Sequence, residues 1–244
     1  MKDYLQDIIA HTNPVKDIDL VKIEGTDTET TVSAVPANKS IIMFGKFKTP
    51  HPSFKGVFGM PNLNKLKTVL DFDEYDENAK LTMNTVDKNG VQVPNNIHFE
   101  TQNGDFVNDY RLMNKELVEE QVANAQLAVT PVFQVSFEPA AASIMRLKKQ
   151  YTANSEETVF TTATVNNELR IYFGDPSTHS GNFVFATGIT GVLKNRFMWP
   201  SEAVVNILTL NGDKTFKISD QGLIEIIVDS GLSTYSYMIP SQRK

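Results

Sequence analysis

The chain contains no cysteine in its 244 residues, and this removes a whole set of chemistries. Without thiols there is no disulfide framework, no thiolate nucleophile and no zinc finger. Histidine is also scarce, and His11, His51, His98 and His179 lie far apart in the sequence without metal-ligand spacing. We expect His51 and His179 to be solvated residues of polar loops. The sequence therefore predicts no metal site and no cofactor.

Long apolar runs are missing too. No run approaches the roughly 18 apolar residues of a membrane span, and residues 1–7 carry two acids ahead of a very short apolar stretch, unlike a secretory signal. We expect no membrane partner. Acidic residues outnumber basic ones by 29 to 23, with a net charge of -6 and a pI near 5.3. This excludes a protein that is basic all over, but it allows a local basic surface.

Catalytic and nucleotide-binding motifs form the third absence. The sequence has no phosphate-binding loop, no nucleophile elbow and no dinucleotide fingerprint. Residues 71–77 superficially resemble a calcium loop, but they lack the mid-loop glycine, so we interpret them as an exposed acidic turn. We predict no catalytic residues and no enzymatic activity.

What the sequence does contain is one order of elements that occurs twice. Amphipathic helices are predicted for residues 5–13 and 140–154, and strands for residues 18–23 and 159–165. The ends of the two helices and the starts of the two strands are both 141 residues apart. The apolar helix faces consist of Leu5, Ile8, Ile9 and Thr12 in the first copy and Ile144, Leu147 and Tyr151 in the second.

Each half continues with strands at 40–47 or 169–173 and then a second helix, at 62–70 or 201–210, behind a Phe-x-x-Pro motif. We expect Pro61 and Pro200 in the first helical turn, where a missing N–H costs nothing. Three strand-like segments close each half, at 80–86, 91–99 and 106–112 and at 215–218, 222–228 and 234–239.

These patterns predict an α+β chain with domains at 1–113 and 131–244. Residues 114–130 are polar and rich in glutamate, and we predict an extended interdomain connector there. The alternative is two adjacent α+β domains that share a coarse order of elements without having arisen by duplication.

Basic residues fall opposite the apolar faces of the predicted helices. Such positions suit contacts to DNA phosphates that are independent of base sequence, although a merely solvated helix face is the alternative. Asp3 and Asp7 occupy the corresponding face of the first helix, and Glu202 is the only charged residue of the predicted helix at 201–210. The basic surface is therefore uneven. The candidate DNA-binding residues are Lys65, Lys67, Arg146, Lys148, Lys149, Lys194 and Arg196.

The order and spacing of the elements resemble the DNA sliding clamps, or polymerase processivity factors, and the two-domain bacteriophage clamps in particular. Residues 197–210 are similar to the family's second-domain helix entry, and residues 237–240 to its C-terminal segment. The resemblance covers essentially the whole chain and depends on topology. It implies two tandem domains, each with two helices packed on antiparallel sheet, and a ring of six domains built as a homotrimer.

The resemblance also implies a function. The ring would encircle double-stranded DNA without sequence preference and tether the replicative DNA polymerase and other enzymes, with a clamp loader as a further partner. It would act in the cytoplasm, which is the host's if a phage encodes it. A partner peptide would bind at Leu127, Val129, Met238, Ile239 and Pro240, unless residues 235–239 are simply a final strand packed inward. The alternative function is a virion structural protein, such as a tail-tube or capsid-associated protein.

Overall fold

A computed structural model describes residues 1–122, 130–177 and 179–242, which divide into two compact units. Unit 1 comprises Met1–Gln126 with Ser230–Tyr235, and unit 2 comprises Leu127–Asp229 with Ser236–Lys244. Both contain helices and antiparallel sheet, so the predicted α+β class is confirmed.

The described residues of unit 1 form three helices and two sets of hydrogen-bonded strands. The helices are α1 (Lys2–Thr12), α2 (Leu63–Leu70) and α3 (Lys115–Gln121). One sheet has the order β4-β1-β2-β3, from β1 (Leu20–Gly25), β2 (Thr30–Ala34), β3 (Ile42–Phe47) and β4 (Gly56–Pro61). The other has the order β5-β6-β7, from β5 (Lys80–Lys88), β6 (Val91–Glu100) and β7 (Val107–Arg111). α1 packs beside α2.

Unit 2 repeats this plan with one addition. Its helices are α4 (Ala141–Ala153) and α5 (Ser201–Leu208), which pack together. One sheet has the order β11-β10-β9-β12, from β9 (Val159–Val165), β10 (Glu168–Gly174), β11 (Ser180–Thr187) and β12 (Met198–Pro200). The other has the order β15-β14-β13-β8, from β8 (Val135–Phe137), β13 (Asp213–Ser219), β14 (Leu223–Asp229) and β15 (Ser233–Pro240). Residues 233–235 of β15 belong to unit 1.

The repeated order predicted from the sequence is therefore present in the structure. Each unit runs helix, four strands, helix and three strands, and β8 is the element of unit 2 that has no counterpart among the described residues of unit 1. The hairpin between β9 and β10 turns at Asn166 and Asn167, whose φ angles of 52° and 62° suit a tight hairpin turn.

The start of α2 differs from the prediction. Pro61 lies in β4, an edge strand where proline is tolerated, and its carbonyl accepts a hydrogen bond from the Tyr110 hydroxyl. Asn62 is the N-cap with φ of 54°, and the Asp19 carboxylate accepts from the Leu63 N–H at 3.1 Å. Pro200 likewise ends β12 and caps α5 instead of entering its first turn.

The described part of the predicted connector contains a helix, α3 at Lys115–Gln121, where we expected an extended chain. The Asn114 side chain accepts from the Leu117 N–H at 3.0 Å and so caps α3, whose one fully buried residue is Val118. Val118 packs over Gly59 of β4, where an added Cβ would lie 2.8 Å from its Cγ2. One capping residue and one apolar contact suffice for a helix this short, and neither produces a periodic apolar face.

The prediction for His51 was also wrong. Its ring is buried between Tyr4 and Phe54, with centroid distances of 4.7 and 4.8 Å. Nδ1 accepts from the Ser53 N–H at 3.1 Å. Burial is the main cause that lowers the pKa of His51, and the positive N-terminal amine adds to it. His179 is exposed, as predicted.

Candidate nucleic-acid interface

The strongest basic surface lies on α4. Its thirteen residues include Arg146, Lys148 and Lys149 but no acid, and all three cations are exposed. Leu147 is fully buried, whereas Ile144 and Tyr151 are only half-buried. The structure therefore brings these three cations together on one solvent-facing side of the helix, as the sequence pattern predicts.

Packing against β11 and capping at its last turn fix the position of α4. Gly181 of β11 approaches closely, because an added Cβ would lie 2.5 Å from Gln150 Oε1. At the end of the helix, the Asn154 side-chain amide donates to the Gln150 carbonyl at 2.7 Å. A glycine on the strand and an asparagine at the helix end thus hold the α4 cations on a rigid element.

α2 contributes less positive charge than its sequence suggests. Lys65 and Lys67 are both exposed, as predicted. Lys67, however, forms an ion pair with Asp71 at 2.5 Å, one helical turn later. Its charge is partly compensated, so Lys65 is the stronger phosphate-binding candidate on this helix.

One of the two acids on α1 is not on the surface at all. Asp7 is buried, and its Oδ2 accepts from the Tyr235 hydroxyl at 2.8 Å. The His11 ring stacks on Tyr235 at 4.7 Å, and its Nδ1 lies 3.4 Å from Asp7 Oδ1. Only Asp3 of the two is exposed. The expectation that Asp7 opposes a basic surface was therefore wrong, because a distant tyrosine draws the carboxylate into the core.

Lys194 and Arg196 do not join α4. The Lys194 N–H donates to the Asp220 carboxylate at 3.0 Å, which ties this loop to the turn between β13 and β14. The Arg196 guanidinium lies 5.1 Å from the centre of the Tyr172 ring. Ile171 and Phe173 are buried on one face of β10, and Tyr172 alternates with them, so its ring lies on the other face of that strand. We therefore do not group these two residues with the helix cations.

The predicted partner-binding residues have different positions. Leu127 and Val129 lie outside the described residues. Met238 is half-buried and Pro240 is exposed, whereas Ile239 has no exposed surface. Buried residues alternate along β15, so Ile239 fits the inward-packed alternative. It is a core residue here, and we remove it from the candidate docking surface.

Neither a metal-binding cluster nor a membrane-spanning helix is found in the described residues. Across residues 1–122, 130–177 and 179–242, no group of three or more histidine or acidic side chains could hold a metal ion. None of the helices in that part of the chain is long and apolar enough to cross a membrane.

Comparison with known proteins gives no sequence relative and several structural ones. No family model and no curated protein matches the chain. The A. fulgidus PCNA bound to the C-terminal region of FEN-1 superimposes with a TM-score of 0.70 at 8% identity, over 100% of this chain and 96% of that one. PCNA from Thermococcus kodakaraensis gives 0.65 at 12%, over 99% and 97%. Proliferating Cellular Nuclear Antigen from Entamoeba histolytica gives 0.70 at 10%, over 99% and 96%.

The chain has the two-domain sliding-clamp fold. The resemblance inferred from the order of elements is confirmed at the level of the fold. The matches cover 99–100% of this chain and 96–97% of the matched chains. At 8–12% identity, only the fold is shared in a measurable way, which explains why sequence comparison finds nothing.

Proposed function

We propose that this chain is a DNA sliding clamp without catalytic activity of its own. Three copies close into a ring around duplex DNA and tether the replicative polymerase and other DNA enzymes there. The observation that carries this proposal is the clamp fold over essentially the full chain. The cations of α4, on a protein with a net charge of -6, add a local DNA-facing surface.

Open sheet edges support the assembly of a ring. β7 in unit 1 and β11 in unit 2 each end the order of their sheet, so each has one row of backbone groups that pairs with no described strand. Contact between two different edges is head-to-tail, and such contacts close a ring when the rotation is right. Two domains per chain and six per ring require three copies.

The α4 cations support contact with the DNA backbone. Arg146, Lys148 and Lys149 are long, exposed side chains without a matching acid on the same helix. Contacts of this kind bind phosphates of any sequence, and binding weakens as salt rises because counterions are released. A clamp needs this property, since it must move along DNA without stopping at particular bases.

Tethering requires a docking surface for the polymerase. We propose that it includes Met238 and Pro240, together with Leu127 and Val129. The described members present a flexible apolar side chain and a rigid ring on a strand end, which suits the binding of short peptides. A docked polymerase would rebind after each release because it stays at high effective concentration. A clamp loader remains an expected further partner.

The molar mass in solution tests the assembly directly. We expect light scattering of a concentrated solution to give about 82 kDa, three times the 27.3 kDa of the chain. A strict monomer would contradict the ring. Open-ended polymers would favour the virion structural alternative, although none of the structures named above is a virion protein.

A further inference from the structure

One strand edge of unit 1 is open, whereas the equivalent edge of unit 2 is covered by a strand of unit 2 itself. In unit 2, β8 lies beside β13, with Phe137 opposite Phe216 and Val135 opposite Ile218. α4 follows directly after β8. In unit 1, α1 and β5 hold the corresponding places, but no strand among residues 1–122, 130–177 and 179–242 lies beside the outer edge of β5. The repeated plan therefore identifies an empty strand position.

The backbone of β5 is oriented to receive a strand at this edge. The Thr101 N–H donates to the Phe106 carbonyl, so the odd-numbered residues of β6 direct their backbone groups toward β7 and the even-numbered ones toward β5. His98 lies opposite Thr82 in β5. The N–H and C=O groups of Leu81 and Met83 consequently point away from β6, toward the open edge.

The side chains of the same two residues lack cover. Leu81 and Met83 are only half-buried, whereas Phe216 and Ile218 in unit 2 have 0% and 1% of their surface exposed. Phe137 of β8 contributes to that burial, with its ring 5.6 Å from Phe216. An added strand with apolar residues at alternate positions would give Leu81 and Met83 equivalent cover.

An acidic cleft lies at the start of β5. Its volume is about 540 Å³, and it lies between the first turn of α1 and the turn that precedes β5. Asp3, Asp76 and Glu77 line it with exposed carboxylates. Lys2 also borders the cleft, but its ammonium group donates to the Tyr75 carbonyl. Met1 brings the positive N-terminal amine to the same cleft, so three carboxylates outnumber two cations and the cleft favours one further basic group next to the open edge.

We propose that the outer edge of β5 binds an extended segment of a partner protein, which adds a fourth strand to the β5-β6-β7 sheet. Apolar residues at alternate positions of that segment cover Leu81 and Met83, and basic residues after them enter the acidic cleft. A partner is favoured over a second copy because this chain is itself acidic, with a net charge of -6. The site is separate from α4 and does not depend on the proposed function.

The probe is a synthetic peptide with residues 131–137 of this chain, Pro-Val-Phe-Gln-Val-Ser-Phe, followed by two lysines. In the antiparallel register of β8, its last phenylalanine lies opposite Leu81, so the lysines reach the cleft. Saturating peptide should slow amide hydrogen exchange at Leu81 and Met83 at least tenfold, because both N–H groups become hydrogen-bonded. Two further peptides carry N-methyl groups at alternate positions, one on the residues whose N–H groups face β5 and the other on the residues whose N–H groups point away. Only the second peptide should keep its affinity.

Variants of the protein separate backbone pairing from other effects. Met83→Pro removes the outward N–H without breaking a bond to β6, and should weaken peptide binding at least tenfold more than the matched Met83→Ala. Asp76→Asn with Glu77→Gln should weaken the lysine-tailed peptide several-fold and leave a glutamine-tailed peptide unaffected.

Three outcomes would overturn the proposal. The first is unchanged exchange at Leu81 and Met83 under saturating peptide. The second is equal binding by the proline and alanine variants, together with equal binding of both N-methylated peptides. The third is exchange in the peptide-free protein as slow as at Phe216 and Ile218; if dilution restored fast exchange, the occupant would be a second copy.

Discussion

Asp7 lies on a helix that a clamp would place near DNA, and an acid there would repel phosphate. The fold removes the conflict by burying Asp7 against Tyr235, more than two hundred positions later in the chain. Gly45 makes room for the tyrosine, since an added Cβ would lie 2.7 Å from its ring. Residue contacts of such long range leave no local periodic pattern.

Removal of the Tyr235 hydroxyl tests how much its hydrogen bond to Asp7 contributes to the stability of the fold. Tyr235→Phe leaves a buried carboxylate without one of its donors, and hydrogen bonds to charged groups contribute about 1.5–3 kcal/mol. We expect the free energy of unfolding, measured by chemical denaturation, to fall by an amount in this range. Tyr4→Phe is the matched control, because its hydroxyl bonds to Thr49 at the surface, and should cost less than about 0.5 kcal/mol. Equal losses in both variants would contradict a special role for Asp7.

His51 makes stability depend on pH in a predictable direction. Its pKa is lowered below the ordinary 6.5, so in mildly acidic solution the unfolded chain binds a proton that the folded chain does not. Stability contributed by neutral His51 is complete above pH 6.5 and is lost as the pH falls below it. His51→Asn keeps an acceptor for the Ser53 N–H but does not titrate. Denaturation at a series of pH values should show a shallower fall for the variant as the pH drops below 6.5, and parallel curves would refute this account.

At the scale of elements, α4 is the part of the proposed interface that can be tested most cleanly. Arg146→Gln with Lys149→Gln removes two exposed cations without touching the buried Leu147. Affinity for short duplex DNA should fall, and the slope of log affinity against log salt should become shallower by about 0.9 for each phosphate that the variant no longer neutralises. The matched control is Lys194→Gln with Arg196→Gln, which changes the net charge equally on a loop. If the control weakens binding as much as the α4 variant, α4 is not the specific surface.

The sequence predicted elements well where apolar periodicity was strong. β9 matches its predicted residues 159–165 from end to end, and α1, α4 and α5 were found within a few residues of their ends. Short or irregular elements were missed, including β2, β8 and α3. β8 has three residues, too few for a pattern of alternation, and α3 depends on its cap and on one contact with Gly59.

The candidate site was predictable to a similar degree. Three cations on one helix follow from helical geometry, so Arg146, Lys148 and Lys149 could be placed together before the structure was known. Lys194 and Arg196 belong to a loop, whose path is fixed by Asp220 and Tyr172 far along the chain. Ile239 follows the same rule, because its burial depends on the neighbours of β15 and not on its own segment.

At the scale of the whole molecule, the proposed ring would allow a protein that is acidic overall to hold DNA. A closed ring is retained by its topology, so electrostatic contacts need only guide the duplex and not carry the binding free energy. That separates it from an ordinary DNA-binding protein, whose retention disappears when salt screens its phosphate contacts. In the proposed ring, the net charge of -6 would also limit adhesion to DNA outside the ring.

Retention on circular and linear DNA distinguishes a closed ring from a protein that binds DNA only through phosphate contacts. Subunits dissociated by dilution would be concentrated in the presence of a nicked plasmid, cross-linked, and separated by gel filtration in high salt. We expect cross-linked rings to stay with the circle and to leave once a single cut makes it linear, because a ring slides off an open end. The uncut plasmid carries the same sequence and charge and so is the control. Equal retention before and after the cut would mean ordinary adhesion, and loss from both would mean that the assembly does not enclose the duplex.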